Sequence, residues 1–293
     1  MIHPPESRSQ FLQIRGVRQH IRRWGDPSRP WIFLGTGWLD CSASFGPLVA
    51  GLLPDYHVVS PDWRGTGFSD WPADGYWFPD YLADVDALLA ALAPPEPPHF
   101  IGHSMGAQVL SLYAGVRPNA GRSLTLLDGL MLPDRGPNKA PAQYRRWLDQ
   151  VAKPRAPKSY PSYEELARRV QKQHPQLDEA WALFVAHCWG ASDGEGQIRL
   201  LADPKHRHNM PVLHRLAESE AFWAEVTVPV LFVDAGKSVF TSGPAQLERP
   251  SRYAAFSKAA RCEVQTVAEA GHMLHWDAPG VTAGLIRAFL SSL

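Results

Sequence analysis

The sequence predicts an α/β fold in which a mostly parallel central sheet carries helices on both faces and is interrupted by an inserted helical segment. Short apolar runs alternate with amphipathic stretches along most of the chain, a pattern typical of parallel strands joined by helices. Glycine-rich turns directly follow two of the runs. Between residues 133 and 225 the apolar runs give way to helical stretches rich in Arg, Gln, His and Trp. These observations define a core with one insertion.

The first part of the core covers residues 1–132. Alternating apolar residues in Phe11–Arg15 and Val17–Arg23 predict an antiparallel hairpin around Gly16. Buried-type runs predict four further strands at Trp31–Leu34, His57–Ser60, Phe100–Gly102 and Leu124–Leu127. Helices are predicted at Ser44–Leu53, at residues 81–92 before the proline-rich segment Pro94–Pro98, and directly after Ser104.

The inserted segment, residues 133–225, and the second part of the core, residues 226–293, complete the chain. Helical patterns in the insertion cover Ala142–Val151, Tyr163–Lys172 and Glu179–Trp189. The sheet pattern then resumes with strands at Val228–Val233 and Glu263–Val267 and helices at Ser251–Ala259 and Pro279–Leu290.

Composition limits the functional classes. The chain has 293 residues, 45% of them hydrophobic, and its 29 Lys and Arg balance 29 Asp and Glu. This mix excludes a disordered, collagen-like or coiled-coil chain. Without a cluster of positive charge, we expect neither nucleic acid nor a membrane surface as a partner. A small-molecule substrate is the expected partner, and the oligomeric state stays open.

The sequence shows no signal peptide, no membrane span and only three cysteines. The start, MIHPPESRSQ, lacks the apolar centre of a signal peptide, and no stretch approaches the ~20 apolar residues of a membrane span. A cytoplasmic protein is therefore expected. The three cysteines, Cys41, Cys188 and Cys262, are widely spaced and odd in number, so we expect reduced, buried thiols and no disulfide or metal framework.

The motif Gly102-His103-Ser104-Met105-Gly106 is the strongest chemical signal, because it follows a predicted strand and opens a predicted helix. A serine at such a turn is held in a strained conformation with its hydroxyl exposed. Its hydroxyl needs a histidine base, and the base needs an acid that fixes its tautomer. Among the 12 histidines, His272 follows the last predicted strand in a loop at the carboxyl edge of the sheet. His275, one turn later, is the weaker candidate.

These motifs, with Leu34-Gly35-Thr36-Gly37-Trp38 and the Asp62-Trp63-Arg64-Gly65-Thr66-Gly67 loop, resemble those of the α/β-hydrolases over nearly the whole chain. The resemblance implies that backbone N–H groups at Trp38 and Met105 form the oxyanion hole. The histidine usual before the second glycine is replaced here by Thr36. It also implies that the insertion covers the active site as a cap, and that Arg64 is structural, pairing with nearby carbonyls or with Asp62.

The acid is where the sequence departs from the family pattern. The position aligned with the usual Asp or Glu is Ser238. Asp128, at the end of the strand after the nucleophile helix, is the preferred substitute, since some members, including many haloalkane dehalogenases, carry their acid there. Asp234 is the second candidate, and the absence of any acid is the third. The predicted catalytic residues are therefore Ser104, His272 and Asp128.

Substrate contacts are expected at Trp38, His103 and Trp189. Four tryptophans of the insertion, Trp147, Trp181, Trp189 and Trp223, could form an apolar wall for the substrate or the core of the cap itself. Three cap histidines, His187, His206 and His208, lack the Cys or carboxylate spacing of a metal site, so no metal and no cofactor is expected.

The expected function is a serine hydrolase that cleaves a carboxylic ester of a small to medium, largely apolar substrate through an acyl-enzyme at Ser104. The alternative is a cofactor-independent dioxygenase of an N-heteroaromatic compound with a His272/Asp128 base. The chain resembles those enzymes in Gly37-Trp38, Trp63-Arg64-Gly65 and Cys188-Trp189-Gly190 but has Met105 where they carry a second histidine. Haloalkane dehalogenases and epoxide hydrolases need an Asp at position 104, and a non-catalytic binding protein would not require Ser104 or His272.

Overall fold

Eight strands form the central sheet of the computed structural model, which describes residues 2–240 and 244–293. Their spatial order is β1-β2-β4-β3-β5-β6-β10-β11, antiparallel at β1–β2 and β2–β4 and parallel at every other pair. The parallel strands therefore end at one edge of the sheet. The strands are β1 (Arg8–Ile14), β2 (Val17–Trp24), β3 (Trp31–Gly35), β4 (His57–Pro61), β5 (His99–His103), β6 (Ser123–Leu127), β10 (Val230–Ala235) and β11 (Cys262–Val267).

Helices cover both faces of this sheet because side chains on a strand alternate between faces. Phe33 of β3 and Phe232 of β10 belong to one buried cluster, whereas Ile32 and Leu231 belong to the other. The first cluster packs under α2 (Phe78–Leu92), α3 (Met105–Val116), α7 (Leu216–Trp223) and α8 (Pro244–Ala254). The second packs under α1 (Gly46–Ala50), α9 (Leu274–Asp277) and α10 (Pro279–Leu290).

The inserted segment contains the expected helices and, in addition, a small three-stranded sheet that was not expected. Its helices are α4 (Ala140–Ala152), α5 (Tyr163–Gln173) and α6 (Glu179–Trp189), and its strands are β7 (Ser159–Tyr160), β8 (Gly190–Ser192) and β9 (Ile198–Leu200). The turn between β8 and β9 holds Gly194 and Gly196 at φ 84° and 86°. Glycine adopts this conformation readily, which allows the chain to reverse. Helix α7, which was not predicted and whose residues fall within the expected bounds of the insertion, packs on α3, with Trp223 buried in the main core.

Several predicted boundaries move for local reasons. The strand expected from Val228 begins at Val230, after Pro229, which has no N–H to give to a sheet. The helix expected at Ser251–Ala259 lies earlier, at Pro244–Ala254. The helix expected at Ser44–Leu53 is a 3₁₀ turn, Ser42–Phe45, followed by the short α1.

The structure also tests the expectations of buried cysteines and of no membrane-spanning helix. Cys41 and Cys188 are free and buried, but Cys262 is exposed, which corrects the expectation of three buried thiols. Cys262 begins β11, which lies at the edge of the sheet. Among the described residues, no helix combines the length and apolar character needed to cross a bilayer.

Candidate active site

Ser104 occupies a sharp turn between the end of β5 and the start of α3. Its backbone has φ 51° and ψ −111°. A positive φ is strained for a residue with a Cβ atom, and such strain persists only where the surrounding structure holds it. Here the Ser104 N–H donates to the carbonyl of Leu127, at 3.0 Å, and the Ser104 carbonyl accepts from the N–H of Gln108, at 3.2 Å.

The glycines on either side of Ser104 are required by close backbone contacts. A Cβ at Gly102 would lie 2.5 Å from the amide nitrogen of Ala107, and one at Gly106 would collide with the carbonyl of Gly35. Both positions thus let α3 begin directly against β5 and β3. The two glycines of the motif are thus needed for the tight turn that the motif predicts.

Ser104, His272 and Asp128 lie in one hydrogen-bonded chain at the carboxyl edge of the sheet. The Ser104 hydroxyl lies 3.0 Å from Nε2 of His272, and Nδ1 of His272 lies 2.7 Å from Oδ2 of Asp128. With Nδ1 protonated and donating to the carboxylate, Nε2 is left to accept the serine proton. The His272 side chain is 26% exposed and that of Asp128 is fully buried, so solvent reaches the imidazole but not its acid partner.

Asp128 directly follows β6 and has a positive φ of 42°. Its Oδ2 also accepts from the hydroxyl of Ser238, at 2.5 Å, and its Oδ1 accepts from Nη2 of Arg249, at 2.7 Å. Burial alone would raise the pKa of Asp128, but hydrogen bonds from His272, Arg249 and Ser238 outweigh burial and lower that pKa. The carboxylate is therefore ionised at neutral pH.

The two other positions considered for the acid have different surroundings. Ser238, where the family usually carries its acid, donates to the substitute carboxylate of Asp128. Asp234 lies on β10 and pairs with Arg249 and the Tyr253 hydroxyl. Burial raises the pKa of Asp234. The structure therefore brings Asp128, rather than Asp234, to the imidazole of His272.

The two expected oxyanion donors flank Ser104. Met105 is the first residue of α3, so its N–H has no acceptor within the helix. Gly37 approaches the nucleophile closely, since a Cβ on it would lie 3.6 Å from Cβ of Ser104, and Trp38 is the next residue. Thr36, which replaces the usual histidine, is buried, and its carbonyl accepts from the Trp63 indole at 2.9 Å.

His103 and Trp189, both expected to contact the substrate, make hydrogen bonds that support the structure around the site. His103 is 1% exposed and its Nε2 donates to the carbonyl of His272 at 2.8 Å, behind the site. The Trp189 indole donates to Oδ1 of Asp40 at 2.8 Å and so ties the insertion to the core. Burial of His103 contradicts its expected contact with substrate. Contact of Trp189 with substrate stays a prediction.

A buried polar cluster of Asp40, His103 and His275 supports the His272 loop. Among the described residues these three form the one group whose side-chain atoms are spaced as potential metal ligands. Asp40 already accepts from His275 Nε2, at 3.1 Å, and from Trp189. Burial lowers the pKa of His275, so the imidazole is neutral. Asp40 could not be identified from the sequence, because nothing in its local pattern sets it apart.

Arg64 and two of the three cap histidines, His187 and His206, have structural partners. Arg64 pairs with Asp84 of α2 rather than with Asp62, which instead pairs with His20. His206 is buried against Tyr76 and hydrogen-bonds the carbonyl of Arg64. The remaining two lie apart, His187 stacked on Tyr163 and His208 at the wall of the cleft.

This cleft, of about 310 Å³, opens between the insertion and the core beside Met105. Trp38 and Met105 belong to its wall, which places it next to the nucleophile turn. Trp147 is the one of the four cap tryptophans that lines it, whereas Trp181 packs within the cap and Trp223 in the main core. Its aromatic wall residues are Trp38, Tyr76, Trp77, Phe78, Tyr81 and Trp147.

Comparisons with known proteins agree with this architecture. A segment of 132 residues, 44% of this chain, is 34% identical to a 3-hydroxybutyrate-oligomer hydrolase of Cupriavidus necator, covering 43% of that protein. A segment of 166 residues, 53% of this chain, is 34% identical to a serine hydrolase-like protein of Danio rerio, covering 50% of it. The chain thus matches half or less of the length of these relatives.

Two further similarities bear on chemistry and on fold. A stretch of 56 residues, 19% of this chain, is 39% identical to 1H-3-hydroxy-4-oxoquinoline 2,4-dioxygenase of Pseudomonas putida and covers 21% of it. The solved thioesterase domain from the curacin biosynthetic pathway superposes with a TM-score of 0.81 and 25% identity, over 96% of this chain and 99% of that one. Residues 24–285 match the sequence model described as the Alpha/beta hydrolase family, and the chain belongs to that family.

Proposed function

We propose that the protein is a serine hydrolase that cleaves a carboxylic ester, or a related acyl bond, through an acyl-enzyme at Ser104. The observation that carries this proposal is the hydrogen-bonded chain from Ser104 through His272 to Asp128, set at a strained turn. A serine hydroxyl becomes an effective nucleophile when an adjacent imidazole accepts its proton. Family membership and the hydrolase relatives support the same conclusion.

The reaction proceeds in two acyl transfers. Oγ of Ser104 bonds to the ester carbonyl carbon while its proton passes to Nε2 of His272, and the carbonyl electron pair moves onto oxygen. The tetrahedral intermediate collapses, the carbon–alkoxy bond breaks, and the leaving alcohol takes the proton from His272. Water, deprotonated by the same nitrogen, then attacks the acyl-enzyme, and His272 returns this proton to Oγ of Ser104 as the carbon–Oγ bond breaks and the acid leaves. Asp128 holds the tautomer and stabilises the imidazolium throughout.

The backbone N–H groups of Trp38 and Met105 are the proposed donors to the oxyanion. Their value lies in their being fixed in place before charge develops on the carbonyl oxygen. Loss of one such donor costs about 3 kcal/mol of transition-state stabilisation in comparable sites. Gly37 and the start of α3 fix these two amides on either side of the nucleophile.

The cleft indicates the kind of substrate. Its aromatic walls favour an apolar acyl or alcohol group, and its volume of about 310 Å³ suits a small to medium molecule. Lys205 also lines the cleft, where its ammonium donates to the carbonyls of Pro72 and Ala73. The similarity to a hydrolase of hydroxybutyrate oligomers and to a thioesterase domain is compatible with an acyl bond as the target.

Labelling by a fluorophosphonate tests the proposal, because this probe reports an activated serine whatever the substrate is. We expect one covalent adduct on the wild-type protein by intact mass, and none on Ser104→Ala. Ser251→Ala, which changes an exposed serine, is the matched control and should label like wild type. A panel of esters graded by acyl length then identifies the preferred substrate. An unlabelled but folded wild-type protein would contradict the proposal.

The second candidate is a cofactor-independent dioxygenase, and two observations favour it: the position of the acid at Asp128 and the stretch 39% identical to a quinoline dioxygenase. In that chemistry His272, oriented by Asp128, would remove a proton from an N-heteroaromatic hydroxyl group, and O₂ would be the oxidant. Oxygen consumption with such compounds, lost in His272→Ala but kept in Ser104→Ala, would support this function over hydrolysis.

A further inference from the structure

Arg249 of α8 joins the two carboxylates at the ends of neighbouring strands. Its Nη2 lies 2.7 Å from Oδ1 of Asp128, at the end of β6, and its Nη1 pairs with Asp234 of β10. The side chain of Arg249 is 6% exposed and that of Asp128 is fully buried. An ion pair this far from water is screened little, so its charge acts strongly on nearby groups.

The contacts of Asp128 divide between its two oxygens. Oδ2 accepts from Nδ1 of His272 and from Ser238, and Oδ1 accepts from Arg249 and, at 3.4 Å, from the N–H of Ala235. Arg249 therefore fixes the rotation of the carboxylate that leaves Oδ2 facing the imidazole. It also takes up part of the negative charge that would otherwise stabilise the imidazolium.

We propose that Arg249 is a positioning residue of the catalytic site: it holds the Asp128 carboxylate with Oδ2 facing His272, and its positive charge extends turnover to lower pH than an unpaired Asp128 carboxylate would allow. Asp234 sets the strength of this effect because it shares the same guanidinium. This inference rests on the proposed hydrolase function. It assigns a role in the reaction to the Arg249–Asp234 pair, which touches neither the serine nor the proposed oxyanion site.

Other titratable groups also face His272, and the test must separate them from Arg249. His103 lies behind the ring with 4.8 Å between centroids. On α9, Asp277 accepts from the N–H of Gly271, next to His272, at 2.8 Å. The remaining groups act at longer range: His275 and Asp40 lie beyond His103, His174 faces the site from the cap, and Tyr253 reaches it through Asp234. Substitutions at Arg249 and Asp234 leave the other groups in place. Tyr253 loses a partner in either variant, but burial raises its pKa, so it stays neutral over the tested range.

The pH profile of kcat/KM for an ester hydrolysed by wild type, measured from pH 4 to 9, gives the decisive readout. Arg249→Met removes a positive charge beside Asp128, so we expect the acidic limb to move up by about half to one pH unit. Asp234→Asn removes the negative charge on the far side of Arg249, so the same limb should move down. Arg249→Lys keeps the charge and should restore most of the wild-type profile.

Arg252 supplies the matched control, because it is also buried on α8 but donates to the carbonyls of Leu130 and Leu132. Arg252→Met should leave the limb within about 0.2 pH unit of wild type, whatever its effect on stability. If Arg249→Met does not fold, Asp234→Asn and Arg249→Lys still decide the question. Ser104-dependent turnover with an unmoved limb in Asp234→Asn overturns the inference alone, whereas wild type without Ser104-dependent turnover overturns the proposed function.

Discussion

Two carboxylates near the ends of β6 and β10, Asp128 and Asp234, share the guanidinium of Arg249. Only Asp128 accepts a hydrogen bond from His272. Asp128 follows β6, and four donors reach its two oxygens. Asp234 lies within β10, where Arg249 and the Tyr253 hydroxyl are its partners. The pKa of Asp128 is lowered although its side chain is fully buried, and that of Asp234 is raised although its side chain is only partly buried. The number and kind of donors decide the direction of each pKa shift, and burial alone does not.

Backbone geometry explains why Asp128, and not Asp234, contacts His272. Asp128 has a positive φ of 42°, so the chain leaves the strand before this residue and the side chain turns toward the His272 loop. Asp234 still follows the alternation of an extended strand and lies on the same face as Phe232, which stacks on Tyr253. A carboxylate inside the strand points at a packed helix, and one just beyond a strand is placed to reach the edge where loops meet.

The largest expected effect comes from Asp128→Asn. The amide has no negative charge to keep the proton on Nδ1 and to stabilise the imidazolium, so we expect kcat/KM for an ester to fall by about 10⁴-fold, as in other triads. Asp234→Asn is the control and should stay within about threefold of wild type on the pH plateau. Near-wild-type turnover by Asp128→Asn, with loss in Asp234→Asn, would reverse the assignment of the two strand ends.

Moving the acid from β6 to the β10 loop sharpens the comparison. Ser238 lies where the family usually carries its acid, and its hydroxyl already touches Oδ2 of Asp128. The double variant Asp128→Asn/Ser238→Asp should regain at least about tenfold in kcat/KM over Asp128→Asn alone. Asp128→Asn/Ser238→Asn is the matched control without the new charge. Equal rates for the two double variants would show that the loop cannot present an acid to His272.

Removing a single donor to the acid should have a smaller effect. Ser238→Ala deletes the hydroxyl that donates to Asp128 at 2.5 Å. A hydrogen bond to a buried charge is worth about 1.5–3 kcal/mol, part of which Arg249 and water can replace, so we expect a loss of about 3- to 30-fold in kcat/KM. Ser238→Thr keeps the hydroxyl and should lose less. An unchanged rate in Ser238→Ala would show that this serine does not support the acid.

The smallest predicted difference between Asp128 and Asp234 is in their contributions to stability at acid pH. Because the pKa of Asp128 is lowered on folding, its stabilisation is present above its ordinary value of 3.8 and is lost as pH falls through the lower folded value. Thermal unfolding of wild type should therefore show a steeper fall in Tm below about pH 4 than Asp128→Asn does. Asp234, with its pKa raised on folding, should not contribute to that fall.

Sequence-based prediction succeeded where local pattern carries the chemistry. The central strands and Ser104 follow from motifs whose spacing requires a strand, a tight turn and a helix, and the structure shows that turn. The placement of His272 and Asp128 followed from strand ends that share one edge. Their hydrogen bonds join residues far apart in the chain, so the preference for Asp128 over Asp234 depended on family resemblance.

The features that the sequence did not predict depend on tertiary contacts that no local pattern encodes. Arg249 lies in a helix whose boundaries were misplaced, and nothing in its neighbours indicates a partner at Asp128. His103 stands beside the nucleophile in sequence but turns into the core, because alternate residues of a strand face opposite ways. The small sheet of the insertion was missed because its strands have two or three residues, too few to show alternation.

The most direct test of the central claim, that Asp128 orients His272 for Ser104, is the rate of labelling by a fluorophosphonate in wild type, Asp128→Asn and Asp234→Asn. We predict a single Ser104 adduct in wild type, labelling at least about 100-fold slower in Asp128→Asn, and labelling within about threefold of wild type in Asp234→Asn. Equal labelling of wild type and Asp128→Asn, with slow labelling of Asp234→Asn, would contradict the claim.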